Sequence, residues 1–273
     1  MTFASKPLNS PFRWVGGKSR LRKQIIPLLP THQCYVEPFA GAAWVLFGKQ
    51  PSRVEIINDI DQELTTFFRV VKEKPDQLIA SFQWTLVARS EFERLAQLDP
   101  TELTDVQRAH RFYYLIMAGW GGEMRYPRFA TSTADGGHGN RLFGAIKNLQ
   151  KRIMPIYDRL QTVIIENLSW EDCLDRYDRP QVVMYLDPPY PANGCNYQHN
   201  MRSWDEHQKL ADRLAQATCR WLLSSYDRPE IRALYPGCFF VPTQSYSGMA
   251  QTKRAKKRVL NQEIVICNFD PKD

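Results

Sequence analysis

The chain has 273 residues, 43% of them hydrophobic and 24% charged, the balance of a soluble globular protein long enough to bury a full core. No apolar run approaches the roughly 18 residues that span a bilayer, and the opening MTFASKPLNSPFRW lacks an apolar core of signal-peptide length, so a cytoplasmic protein with no membrane association is expected. A formal charge of +7 and a pI near 9.1 favour a polyanionic partner, whereas six scattered cysteines and five histidines without paired spacing predict reduced thiols and no metal.

Short apolar runs at 35–37, 54–57, 163–166, 182–186, 221–224 and 263–267 read as buried strands. Helical patterns at 61–71 and 204–217 follow the second and fourth runs, so the expected fold class is α/β, a largely parallel sheet with helical crossovers. Residues 72–158 break that rhythm. Helical segments at 89–98 and 105–117 lead into a loop at 118–129 rich in Gly, Arg and aromatics, then the polar TSTADGGHGN. This stretch reads as a mainly helical insertion, leaving 1–71 and 159–273 as the sheet-bearing domain.

Three motifs carry chemistry. The first, Val36-Glu37-Pro38-Phe39-Ala40-Gly41-Ala42-Ala43, is a strand ending in an acid and a turn of small residues. Gly41 and the alanines permit close approach of a nucleoside at the carboxyl end of a strand, where open α/β sheets place ligands. Some 22 residues after Glu37, Asn58-Asp59 closes the next strand, the spacing at which a Rossmann-type carboxylate meets ribose hydroxyls. Asp59 is the candidate ribose ligand and Asp61 a candidate helix cap. The third and most specific motif is Asp187-Pro188-Pro189-Tyr190, directly after the apolar run Val182-Val183-Met184-Tyr185-Leu186. Two prolines stop the strand in a stiff turn, holding the Asp187 carboxylate and the Pro188 carbonyl as neighbouring acceptors. An amine offers two donors to match them, and Tyr190 can lie on the face of a base.

PFRWVGGK, VEPFAGA, NDID and DPPY, in that order, resemble the DNA adenine methylases of the Dam type, including relatives carried by phages. The resemblance implies a Rossmann-like methyltransferase sheet with an inserted helical DNA-recognition domain. It implies S-adenosylmethionine as cofactor, S-adenosylhomocysteine as product, and transfer of a methyl group to the exocyclic amine of an adenine flipped out of double-stranded DNA. Asp187, Pro188, Pro189 and Tyr190 become catalytic. Trp14, Lys18, Glu37, Phe39, Gly41, Asp59, Asn167, Leu168 and Asp187 become cofactor-site residues, with Lys18 toward the methionine carboxylate and Asn167 and Leu168 toward the cofactor's adenine. The expected location is the nucleoid or a phage-infected host's cytoplasm, and GATC is the target suggested by resemblance alone.

DNA contacts are expected from two basic segments. Gly121-Gly122-Glu123-Met124-Arg125-Tyr126-Pro127-Arg128 falls where Dam-type enzymes have a recognition hairpin, although their usual asparagine-rich loop is replaced here. Arg125 is the base-reading candidate and Arg128 its neighbour, for guanine edges or phosphates. The run Lys253-Arg254-Ala255-Lys256-Lys257-Arg258 suits phosphate contacts, with Lys253, Arg254, Lys256 and Lys257 providing affinity rather than specificity. No heptad seam stands out, so a monomer is expected. Two other readings fit the residues: a methyltransferase acting on the exocyclic amine of cytosine, and a non-catalytic DNA-binding protein with a vestigial cofactor pocket.

Overall fold

The computed structural model describes residues 6–14, 16–121, 124–131, 139–191, 201, 203–246 and 260–272. Seven strands are present among them: β1 (Cys34–Glu37), β2 (Val54–Asn58), β3 (Val163–Glu166), β4 (Val182–Leu186), β5 (Arg220–Tyr226), β6 (Phe239–Tyr246) and β7 (Leu260–Cys267). They form one sheet in the order β3-β2-β1-β4-β5-β7-β6. The first five are mutually parallel, as expected, while β7 runs antiparallel to β5 and β6 antiparallel to β7.

Eleven α-helices lie among the described residues: α1 (Arg22–Ile25), α2 (Trp44–Gly48), α3 (Gln62–Glu73), α4 (Pro75–Ser81), α5 (Arg89–Gln97), α6 (Asp105–Ala118), α7 (Arg141–Lys147), α8 (Leu149–Leu160), α9 (Trp170–Tyr177), α10 (Trp204–Ala215) and α11 (Pro229–Leu234). None is long and apolar enough to cross a membrane. The caps follow local chemistry. Asp61 accepts the amides of Glu63 and Leu64 at the start of α3, and Ser203 with Glu206 makes a capping box that opens α10.

The two-residue period of the strands divides the core in two. Val183 and Tyr185 of β4 join Tyr35, Ile57 and Leu222 on a face covered by α2, α3 and the helices between β2 and β3. Val182, Met184 and Leu186 join Val36, Ile56, Trp221 and Leu223 against α9, α10 and α11. All five residues of β4 are therefore buried, as a parallel strand covered on both faces requires. The helices between β2 and β3 share the first of these cores: Phe112, Tyr113 and Ile116 of α6 pack with Phe67 and Phe68 of α3.

β6 departs from the sequence expectation, which had no strand there. Pro242 sits within it opposite Ile264, and proline is tolerated because β6 is the outermost strand and its missing amide faces away from the ladder. α8, interrupted by Pro155, also escaped a pattern reading. At the amino end of β2, Glu55 is buried between two cations: Lys49 Nζ at 2.6 Å and the Arg159 guanidinium, which engages both carboxylate oxygens. Burial raises the Glu55 pKa, but these partners outweigh it and hold the carboxyl below its usual range.

Candidate active site

Parallel pairing brings the carboxyl ends of four strands to one rim. Glu37 of β1 is in register with Ile57 of β2, Asn58 with Glu166 of β3, and Val36 with Met184 of β4. The motifs that follow these strands, separated by as many as 150 residues in sequence, meet at that rim, beside the seam between β1 and β4 where the chain reverses its direction of sheet growth. In open α/β sheets such a seam is where ligands lie.

Asn58 knits the rim together. Its amide nitrogen donates to the carbonyls of Pro38 (2.9 Å) and Leu168 (3.1 Å), and its amide oxygen accepts from Leu168 N at 2.8 Å. The Asp59 carboxylate accepts the backbone amides of Gly41 (2.9 Å) and Asp61 (3.0 Å). Burial nevertheless dominates, pushing the Asp59 pKa up to about 7. Asn167, exposed, donates to the carbonyls of Asp59 (2.7 Å) and Ile60 (3.2 Å), tying the turns after β2 and β3.

Gly41 has φ +46°, and a Cβ there would meet the Trp14 indole at 3.1 Å. Trp14 thus closes over the β1 turn while its other side packs on Phe112 of α6 at 5.9 Å between ring centroids. Phe39 is half-buried against the second core. Glu37 turns inward: one of its oxygens accepts both the Tyr35 hydroxyl (2.8 Å) and the Leu46 amide (2.7 Å), and burial raises its pKa to about 7. It therefore anchors the first turn of α2 to the strand from behind the rim.

The second half of the site is ionic. Lys18, only 6% exposed, places Nζ 2.7 Å from Asp187 Oδ1 and 4.0 Å from Glu263 Oε2, and donates to the Gly16 carbonyl at 3.1 Å. The ammonium also stands 4.7 Å from the centroid of the Tyr190 ring. The carboxylate on which Lys18 rests is thus one of the protein's own. The Asp187 pKa is raised, by burial first, with Lys18 opposing and Glu263 adding to the rise. Tyr190 donates its hydroxyl to Glu263 Oε2 at 3.0 Å and meets Tyr226 edge-on at 4.7 Å. Pro188 is buried and Pro189 half-buried in the turn between Asp187 and Tyr190.

Sequence reasoning gave Asn58 no role of its own and passed over Glu263. The only trace of Glu263 was one acid at the head of the run Ile264-Val265-Ile266, a residue type that enters an apolar strand at the cost of desolvation unless partners await it. The backbone amide and carbonyl of Leu168 are both engaged by Asn58.

Away from the rim, Gly119 and Phe129 form an antiparallel bridge flanked by Trp120 N to Arg128 O (2.8 Å) and Ala130 N to Ala118 O (2.9 Å). The loop expected at 118–129 is therefore the end of a short hairpin running out of α6. Arg125 and Arg128 are exposed on it, the former 5.5 Å from the Tyr126 ring. Lys253, Arg254, Lys256 and Lys257 lie outside the described residues. Among the described residues no group of three or more His, Cys, Asp or Glu is arranged to hold a metal ion.

Residues 14–249 match the family model of the D12 class N6 adenine-specific DNA methyltransferases. The chain is 30% identical over 238 residues to the DNA adenine methylase of Salmonella typhi, covering 82% of each protein. It is 26% identical over 267 residues to the type II methyltransferase M.CviBI of Paramecium bursaria Chlorella virus NC1A, covering 94% of this chain and 98% of the viral one. Over 286 aligned residues it is 27% identical to the type II methyltransferase M1.LlaDCHI of Lactococcus lactis subsp. cremoris, covering 95% of each.

Proposed function

Because the chain belongs to the D12 class of N6 adenine-specific DNA methyltransferases, its reaction is adenine methylation in DNA, and we propose that Asp187 and the Pro188 carbonyl are the acceptors that receive the amine of a flipped adenine. The observation that carries this reading is the Asp187 carboxylate at the end of β4, ion-paired to a buried lysine and one strand away from the β1 turn. An adenine amine is a poor nucleophile because its lone pair is delocalised into the ring. Two fixed acceptors on its N–H groups favour the geometry in which that delocalisation is lost. As the nitrogen bonds to the methyl carbon, positive charge grows on the amine, and ionised Asp187 stabilises it electrostatically without acting as a strong base. The proton leaves afterwards, to water. Tyr190 is proposed to hold the base by its ring.

Membership of a methyltransferase family implies S-adenosylmethionine as methyl donor; when bound it supplies an electrophilic methyl on a sulfonium and departs as S-adenosylhomocysteine. The rim suits that group. Asp59 has two carboxylate oxygens at the end of β2 for ribose hydroxyls, Gly41 leaves the β1 turn free of a side chain, and Trp14, Phe39 and Leu168 provide apolar walls. Asn167 is the proposed polar neighbour of the cofactor's adenine, and Glu37 supports the turn from behind. Lys18 is proposed to hold Asp187 in place and partly neutralised until substrate arrives.

Arg125 and Arg128, exposed on the hairpin that leaves α6, are the proposed DNA-reading pair. Lys253, Arg254, Lys256 and Lys257 are proposed phosphate contacts on sequence grounds.

The test is transfer of labelled methyl from S-adenosylmethionine to unmethylated genomic DNA, followed by nucleoside analysis. Label is expected in N6-methyladenine for the wild type, with none above background for Asp187→Ala of unchanged circular dichroism. Near-normal turnover by that folded variant refutes the assignment of Asp187.

A further inference from the structure

Glu263 reaches the site from β7, whose next four residues, Ile264 to Cys267, lie in the two apolar cores. β7 lies antiparallel to β5, with Glu263 opposite Tyr226 on one side and Thr243 of β6 on the other. Its side chain is 8% exposed, and a carboxylate is costly to bury unless its partners repay the desolvation. Two of its partners belong to the proposed machinery: the Tyr190 hydroxyl at 3.0 Å and the Lys18 ammonium at 4.0 Å, both on the same oxygen. Lys18 is thus flanked by two carboxylates, Asp187 at 2.7 Å and Glu263 at the longer distance.

One ammonium cannot fully neutralise two carboxylates. A lone Lys18–Asp187 pair would present the incoming amine with an acceptor whose charge is already cancelled; a second carboxylate on the same ammonium leaves these three described groups with net negative charge where positive charge will grow. We propose that Glu263 is a positioning residue for methyl transfer: it draws part of the Lys18 charge away from Asp187 and fixes the Tyr190 ring through the phenol, acting on the amine only through those two side chains. The proposal rests on Asp187 being the amine acceptor.

Among the described residues, the charged and titratable groups around Asp187 include Lys18 from the segment before α1, Glu263 from β7, Tyr185 from β4, Tyr190 from the same turn and Glu37 from β1. Glu263 raises the Asp187 pKa by like-charge repulsion, whereas the Tyr190 hydroxyl lowers it by hydrogen bonding. The two variants Glu263→Gln and Tyr190→Phe therefore make opposite demands. Glu263→Gln keeps an oxygen for the Tyr190 hydroxyl but removes the competing charge. Its kcat should fall about tenfold with KM for DNA little changed, and the acid limb of the kcat–pH profile should move to lower pH. Tyr190→Phe keeps the ring but loses its tether. KM for DNA should rise, the fluorescence of 2-aminopurine at the target position should change, and the acid limb should move to higher pH.

Opposite displacements of the acid limb support the proposal, since a loosened fold would not move the two limbs apart. A Glu263→Gln enzyme with wild-type kcat and an unmoved limb overturns it, as do limbs that shift in the same direction. If Glu263→Gln does not fold, an unmoved limb and unchanged KM in Tyr190→Phe overturn it. Asp187→Ala, measured alongside, separates the two levels: full activity in that variant removes the site assignment itself, whereas an inactive Asp187→Ala beside a wild-type-like Glu263→Gln removes only the role of Glu263.

Discussion

Replacing Asp59 with Asn separates what the carboxylate does for the fold from what it does for the ligand. Burial raises the Asp59 pKa from an ordinary 3.8 to about 7, so between those values the unfolded chain is ionised while the folded protein keeps the proton. In that window the unfolded state binds fewer protons, and stability falls as pH rises, by about 1.4 kcal/mol per pH unit. The contribution is fully present below the unfolded pKa and lost by the time pH has passed the folded one. From pH 5 to pH 7 the wild type should therefore lose at most about 3 kcal/mol relative to Asp59→Asn. The asparagine has one acceptor oxygen for the two amides of Gly41 and Asp61, but that cost does not depend on pH and cancels from the slope. Glu37, also with a pKa of about 7, is common to both proteins and cancels too. Urea unfolding of the ligand-free proteins at half-unit intervals measures the difference curve. A difference that stays flat from pH 5 to pH 7 refutes a protonated Asp59. Cofactor binding should run the other way in the wild type, tightening as pH rises through 7, because the ionised carboxylate is the better acceptor for the ribose hydroxyls it is proposed to hold.

Gly41→Ala should cost about 1–2 kcal/mol of stability from the left-handed backbone alone and weaken cofactor binding further by displacing the Trp14 indole; denaturant melts and cofactor titration check both. Glu55→Gln leaves Lys49 and Arg159 buried without their counter-ion, and about 3 kcal/mol of destabilisation is expected in urea melts with cofactor affinity little changed. Arg125→Ala should relax the preference for target over non-target DNA by roughly ten-fold or more if the guanidinium reads a base edge, whereas a phosphate contact would weaken both DNAs alike; competition binding at fixed salt distinguishes them.

The parts of the fold legible in the sequence were those specified by local chemistry. The apolar run at 182–186 stopped by two prolines became β4 and its turn, and Asp61 caps α3 as its position before that helix implied. Boundaries moved where caps decide them: the helix expected to 217 ends at Ala215, with Gln216 as its C-cap. β6 was not legible because Pro242 argues against a strand until the strand is known to lie at a sheet edge. Nor were the tertiary pairings. Glu263 stands 76 residues beyond Asp187, and nothing in its neighbours announces that an antiparallel strand will fold it back onto Lys18. Asn58 was visible as the end of a strand, but its hold on Pro38 and Leu168 depends on which strands flank β2.

Helix α6 is a single rod of 14 residues, about 21 Å at 1.5 Å per residue. Midway along it Phe112 lies against Trp14, and at its end the Ala118 carbonyl receives Ala130 N of the hairpin and, at 3.0 Å, the Asn140 amide. One stiff element therefore touches both Trp14, the proposed wall of the methyl-donor pocket, and the root of the segment that carries Arg125. If the hairpin reads DNA as proposed, a displacement of its root would bear on the helix end at Ala118 and, through the rod, on the Phe112 surface against which Trp14 packs. Any free energy passed along that route would be reciprocal: a donor that seated Trp14 would sharpen the grip on the right sequence by the same factor that the right sequence sharpened the grip on the donor.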